Sequence, residues 1–123
     1  MATINVGEKD FEKLVTESSI VFVDFWAEWC GPCKMFGPVY EAASEKHPDI
    51  VFAKVDTEAE QSLAGAAGIT SIPTLMAFRE GVLLFREAGA LPAPSLDELI
   101  TAIKGVDMED IRKQIAAEEA KSK

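Results

Sequence analysis

Apolar and polar positions recur along the chain in two periods, and the switches between them mark out the elements. Ile4–Val6 reads as a short edge strand. Phe11, Leu14 and Val15 then fall at i, i+3 and i+4, the spacing of an amphipathic helix. Ile20–Trp26 is β-branched and aromatic almost throughout, which predicts a strand buried on both faces. Helical spacing returns from Cys30 to His47, with Met35, Val39 and Ala42 expected on the inward face and Lys34, Glu41 and Glu45 off it. Pro38 falls inside that helix and is expected to kink it, because it lacks an amide donor and crowds the preceding turn.

Pro48 stops the helix, and Ile50–Val55 gives a second buried strand, so strand, helix and strand form a parallel crossover. Glu60–Ala67 is Ala-rich with Leu63 inward and Gly68 at its end, a third helix. Thr74–Phe78 and Val82–Phe85 flank Glu80-Gly81, the signature of a hairpin turn. Ser95 and Glu98 have the spacing of a capping box ahead of a stripe formed by Leu96, Leu99, Ile100 and Ile103. The class is therefore α/β, a mixed central β-sheet flanked by helices on both faces. One domain is expected over residues 1–105. Residues 106–123 form a charged tail whose Met108, Ile111 and Ile115 would share a face if it became a short helix; a frayed extension is the simpler expectation at that length.

Bulk properties narrow the function. The 123 residues fit a single domain, and 48% hydrophobic content fills an ordinary core without a disulfide staple. A net charge of -9 with no basic stripe argues against nucleic acid as a partner. No apolar run is long enough to span a bilayer, and Met1–Asp10 holds no signal-peptide core, so a cytoplasmic setting and no membrane association are expected. In a reducing compartment a cysteine pair is catalytic or metal-binding more often than structural.

The pair is Cys30-Gly31-Pro32-Cys33, placed between a buried strand and a helix. One helical turn brings such sulfurs within bonding reach. Cys30 at the helix start meets unpaired amides that favour its thiolate, and Pro32 suits the first turn, where a missing N–H costs little. Zinc fails on ligand count: the only other ligand of that kind is His47, at the far end of the same helix and expected at the surface. No metal or cofactor is called for. Lowering a free thiol's pKa of about 8.5 by about 1.5 units raises the thiolate fraction from roughly 3% to about half. The lost basicity weakens the nucleophile about fivefold. The larger gain is expected from a second sulfur held in place, which makes resolution intramolecular.

The run Phe25-Trp26-Ala27-Glu28-Trp29-Cys30-Gly31-Pro32-Cys33-Lys34, followed by Ser71-Ile72-Pro73-Thr74, resembles the thioredoxin family, over roughly residues 5–104. The resemblance implies the thioredoxin fold and a general protein disulfide reductase, recharged by an NADPH-dependent thioredoxin reductase and acting on disulfide-containing client proteins as a monomer. It implies that an exposed Cys30 attacks the substrate and Cys33, tucked behind it, resolves the mixed disulfide. Asp24 matches the family's buried carboxylate; in an apolar strand its pKa should rise, letting it accept the Cys33 proton through water. Lys54, in the neighbouring strand, would partly neutralise it. Ile72-Pro73 matches a cis peptide that frees the Ile72 backbone to pair with a substrate strand. Gly89 matches a groove position, Trp29 would shield the pair and join Gly31, Pro32, Ile72, Pro73 and Gly89 in binding the substrate, and Trp26 is expected to pack. Gly37 stands where the family often has Ala.

Two alternatives stay open on sequence: a client-binding module without turnover, and an oxidant or isomerase of the same fold. Gly31-Pro32 between the cysteines favours the reductant, since the oxidants and isomerases usually carry His there.

Overall fold

None of the seven residues from Ile20 to Trp26 is exposed, and the sheet is built around them. In the computed structural model, which describes residues 2–122, they form β2, the middle strand of five. The elements run β1 (Thr3–Asn5), α1 (Glu8–Glu17), β2 (Ile20–Trp26), α2 (Gly31–Lys46), β3 (Val51–Asp56), α3 (Gln61–Ala66), β4 (Thr74–Arg79), β5 (Val82–Ala88), α4 (Ala93–Lys104) and α5 (Met108–Lys121). Spatial order is β1-β3-β2-β4-β5. β3 runs parallel to both β1 and β2, and β4 runs antiparallel to β2 and β5. The mixed sheet of the expected class is thus present, with β1 at one edge.

Period-two alternation divides the core. Phe22, Phe52, Leu75 and Ala77 face Phe36 and Tyr40 of α2 and Leu96, Ile100 and Ile103 of α4. Val21, Val23, Phe25, Val55 and Met76 face the other way, against Leu63 of α3 and Phe11 and Leu14 of α1. Glu80 and Gly81 both take positive φ, at 52° and 81°, the two-residue turn whose twist suits a hairpin. β5 then runs to Ala88, beyond the expected Phe85.

Two expectations are corrected. α2 buries Cys33, Phe36, Tyr40, Ala43 and Ser44, whereas Met35 is 74% exposed and Ala42 is exposed. Both sets have helical spacing; the face with two aromatic rings removes more apolar area from water and is the one that turns inward. The Ser95–Glu98 capping box is absent. α4 begins three residues earlier, at Ala93, with Pro92 in place of Ser95 as N-cap and no side-chain cap bond. Prolines suit a first turn whose amides lack partners, so the Pro92-Ala93-Pro94 run sets the start.

Beyond α4 the chain forms α5, capped by the Asp107 carboxylate, which accepts from the Asp110 amide at 3.1 Å. Met108 is buried, and Arg112 pairs with Glu80 in the hairpin turn. Arg79 Nη1 donates to the carbonyls of Ile103, Lys104 and Val106 at 3.0, 2.9 and 2.8 Å, tying the end of β4 to the α4–α5 junction. Removing this donor with Arg79→Met is expected to lower stability by about 1–3 kcal/mol. A urea midpoint equal to that of the parent chain would show that the junction holds without it.

Candidate active site

The first turn of α2 carries the sulfurs. Gly31 and Pro32 open the helix and Cys30 is its N-cap, with an extended backbone. The Cys33 amide points at Cys30 Sγ, 3.2 Å away, so an N–H the helix cannot use is aimed at the atom that would carry thiolate charge. Cys30 and Cys33 are joined in a disulfide, with their Cα atoms 5.2 Å apart. Cys33 is 4% exposed, tucked in as expected, but Cys30 is more covered than expected at 3%; both pack with Ala27 and are flanked by Trp26 and Ile72. The expectation of an openly exposed Cys30 is therefore corrected. Its remaining access is through a groove, because neighbouring apolar side chains close the other sides.

That groove measures about 630 Å³. One wall is Trp29, Cys30, Gly31 and Pro32; the other is Ile69–Ile72; α3 contributes Ala64 and Gly65 to the lining. The Ile72–Pro73 peptide is cis, and the Ile72 carbonyl oxygen lies 3.7 Å from Cys30 Sγ. Thr74 Oγ1 donates to the Ser71 carbonyl, and the Gly89 amide donates to the Pro73 carbonyl at 2.8 Å. Gly89 has φ +112° and open space where a Cβ would sit. Its backbone conformation, not crowding within the chain, is what calls for glycine. Trp29 is 69% exposed, and its Nε1 donates to Glu58 Oε1 at 2.7 Å.

Behind the sulfurs, Asp24 is 1% exposed, and neither carboxylate oxygen has a hydrogen-bond partner among the described residues. Loss of hydration pushes its pKa up from 3.8 to about 7, with the Lys54 charge pulling the other way. Asp24 and Lys54 are register partners on β2 and β3. Lys54 Nζ sits 4.7 Å from the centre of the Trp26 ring, so its cation rests on an aromatic face as well as beside the acid. Tyr40 is fully buried and donates to the Ala53 carbonyl at 2.8 Å.

With this geometry in view, comparison with known proteins is decisive. The family model described as Thioredoxin matches residues 2–104. The chain belongs to the thioredoxin family. Putative thioredoxin 2 of Streptomyces coelicolor is 50% identical over 121 residues, covering 98% of this chain and 90% of that protein. Thioredoxin 1 of Synechococcus elongatus is 45% identical over 93 residues, covering 74% and 87%. Among solved structures, Plasmodium falciparum thioredoxin superposes with a TM-score of 0.74 at 34% identity, covering 81% of this chain and 97% of that one. As in other thioredoxins, a Cys-x-x-Cys pair at disulfide distance supports dithiol–disulfide exchange, the chemistry of a protein-disulfide oxidoreductase.

The structure brings Trp29, Cys30, Gly31, Pro32 and Ile72 together on one groove and places Pro73 and Gly89 beside it through the Pro73–Gly89 hydrogen bond. Asp24 and Lys54 lie together on the sheet, on the face that alternation assigns to α2. Sequence reading missed Glu58, the partner of Trp29. The one signal in the sequence is Asp56 at the strand end, a residue type that turns the chain by accepting from backbone amides just ahead, as it does here from Glu58 and Ala59; nothing in it points to Trp29. Among the described residues no helix is long and apolar enough to cross a membrane.

Proposed function

We propose that this thioredoxin-family chain is a protein disulfide reductase in which Cys30 attacks and Cys33 resolves. The Cys30 thiolate bonds one sulfur of a client disulfide, and the other client sulfur leaves as thiolate. Cys33 then attacks Cys30 Sγ, the mixed disulfide breaks, and the second client thiolate departs. Two electrons pass from the dithiol to the client, leaving the Cys30–Cys33 disulfide, which thioredoxin reductase returns to the dithiol at the expense of NADPH. The observation that carries the reading is the sulfur pair on the first turn of α2, with Cys30 Sγ 3.7 Å from the Ile72 carbonyl oxygen and both residues lining one groove.

Asp24 takes the Cys33 proton through water. Its pKa of about 7 suits a base working near neutrality, and Lys54 limits how far burial raises it. Trp29, Gly31, Pro32, Ile72, Pro73 and Gly89 form the client surface, where an extended segment pairs with the Ile72 backbone. Disulfide-containing proteins are the clients and the working unit is a monomer in the cytoplasm, with neither nucleic acid nor membrane as partner.

The test is reduction of insulin with NADPH and a bacterial thioredoxin reductase, followed by turbidity and NADPH loss. Turnover is expected for the parent chain and none above background for Cys30→Ser, since a serine hydroxyl is not ionised near neutral pH and cannot form the mixed disulfide. Stable client binding without turnover by the parent chain would instead favour the binding-module reading.

A further inference from the structure

The groove wall opposite the sulfurs is a loop, and loops hold position only where something ties them. α3 ends in a Schellman turn: the Gly68 amide donates to Gly65 O and the Ile69 amide to Ala64 O, with Gly68 at φ +69°. That turn satisfies carbonyls inside α3 but leaves those of Ala67 and Gly68 directed outward. Both are taken by one side chain from β5. Arg86 Nη1 donates to Ala67 O, and Arg86 Nη2 donates to Gly68 O at 2.7 Å. Three residues further along the chain, just past the end of β5, the Gly89 amide holds Pro73 O at 2.8 Å. The wall segment Ile69–Ile72 is therefore suspended between two anchors three residues apart in sequence, one the Arg86 guanidinium on β5 and the other the Gly89 backbone amide just after it.

We infer that Arg86 is a positioning residue for client disulfides: it fixes the Ile69–Ile72 wall at the distance from Cys30 that a docked client strand requires. It touches neither sulfur and lies on the exposed side of β5, so it acts through the loop. A guanidinium suits the task because its planar fork reaches two carbonyls at once, where an ammonium has a single centre. A client strand that pairs with the Ile72 backbone needs that backbone already in place; otherwise part of the binding free energy goes into ordering the loop. Small disulfides, which need only the sulfur, should not notice the difference. This rests on the reductase reading above.

The experiment compares the parent chain with Arg86→Met and Arg86→Lys in the reductase-coupled assay, using insulin and, separately, a small nitrobenzoate aryl disulfide. Arg86→Met is expected to raise the KM for insulin by about three- to tenfold with kcat within about twofold, and to leave the aryl disulfide rate unchanged. Hydrogen exchange at the amides of Thr70, Ser71 and Ile72 should quicken in the same variant. Arg86→Lys should fall between the two on both readouts. An unchanged insulin KM in Arg86→Met, or an equal loss on both disulfides, overturns the inference while leaving the reductase reading intact. Failure of the parent chain to turn over insulin overturns the reductase reading and this inference with it, and is told apart by appearing before any substitution is made.

Discussion

With Cys33 replaced by serine, the chain should accumulate as a mixed disulfide between Cys30 and its client, and release of the client should slow by about 10⁵-fold. Cys30 keeps its place as N-cap of α2, so the first attack proceeds. Resolution then depends on an external thiol. Well-oriented intramolecular groups reach effective molarities of about 10⁵ M; even a thousandth of that exceeds a thiol at about 1 mM by about 10⁵. The sulfurs here are already within bonding geometry on one helical turn, with Cα atoms 5.2 Å apart, so little of this advantage is lost to reorganisation. Non-reducing gels of Cys33→Ser mixed with an oxidised client measure the trapped species. Rapid, complete release without added thiol would sink the division of labour between the two cysteines.

Asp24→Asn should stabilise the fold above pH 7, by up to about 4 kcal/mol, and have little effect near pH 4. The folded pKa is raised to about 7 from a reference of 3.8. Between those values the folded chain holds a proton that the unfolded chain has released, so stability falls as pH rises. The stabilising difference is fully present below pH 3.8 and gone above about 7, and a shift of about 3 units corresponds to about 4 kcal/mol. Asparagine carries no charge in either state and escapes the penalty. Urea unfolding at pH 4, 6 and 8 gives the profile; a constant difference between parent and variant would mean that Asp24 is ionised in the fold throughout. The same variant should resolve mixed disulfides more slowly at neutral pH, because the proton acceptor behind Cys33 is lost. Opposite signs for stability and rate would mark a residue kept for its chemistry at a cost in stability.

Strand and helix order was legible because each element buries a face at its own period, most plainly in Ile20–Trp26, where a run with no exposed residue fits only the interior of a sheet. What escaped was the choice between equivalent patterns. Met35, Val39 and Ala42 satisfy helical spacing as well as Cys33, Phe36 and Tyr40 do; Val39 does pack on the core, but the aromatic face takes the centre and leaves Met35 and Ala42 exposed. The capping box at Ser95 failed similarly, because the two flanking prolines outrank a serine in fixing where α4 starts. At the site, Cys30 and Cys33 stand out by chemistry and spacing, whereas Asp24 and the Ile72–Pro73 pair are marked by the resemblance to the thioredoxin family. Arg86 and Glu58 have neither signal, since each matters only through a partner 18 to 29 residues away in sequence.

Pro38 sits in the middle of α2 and has no amide to offer, so the Lys34 carbonyl, four residues before it, receives no helical bond from that position. The rung is missing between the turn that bears the sulfurs and the stretch led by Tyr40. Small shifts that accompany making and breaking the sulfur–sulfur bond can thus be absorbed at the helix tip, and the aromatic cluster beneath need not repack at each turnover. The missing rung works as a mechanical fuse between a cycling end and a stationary foundation.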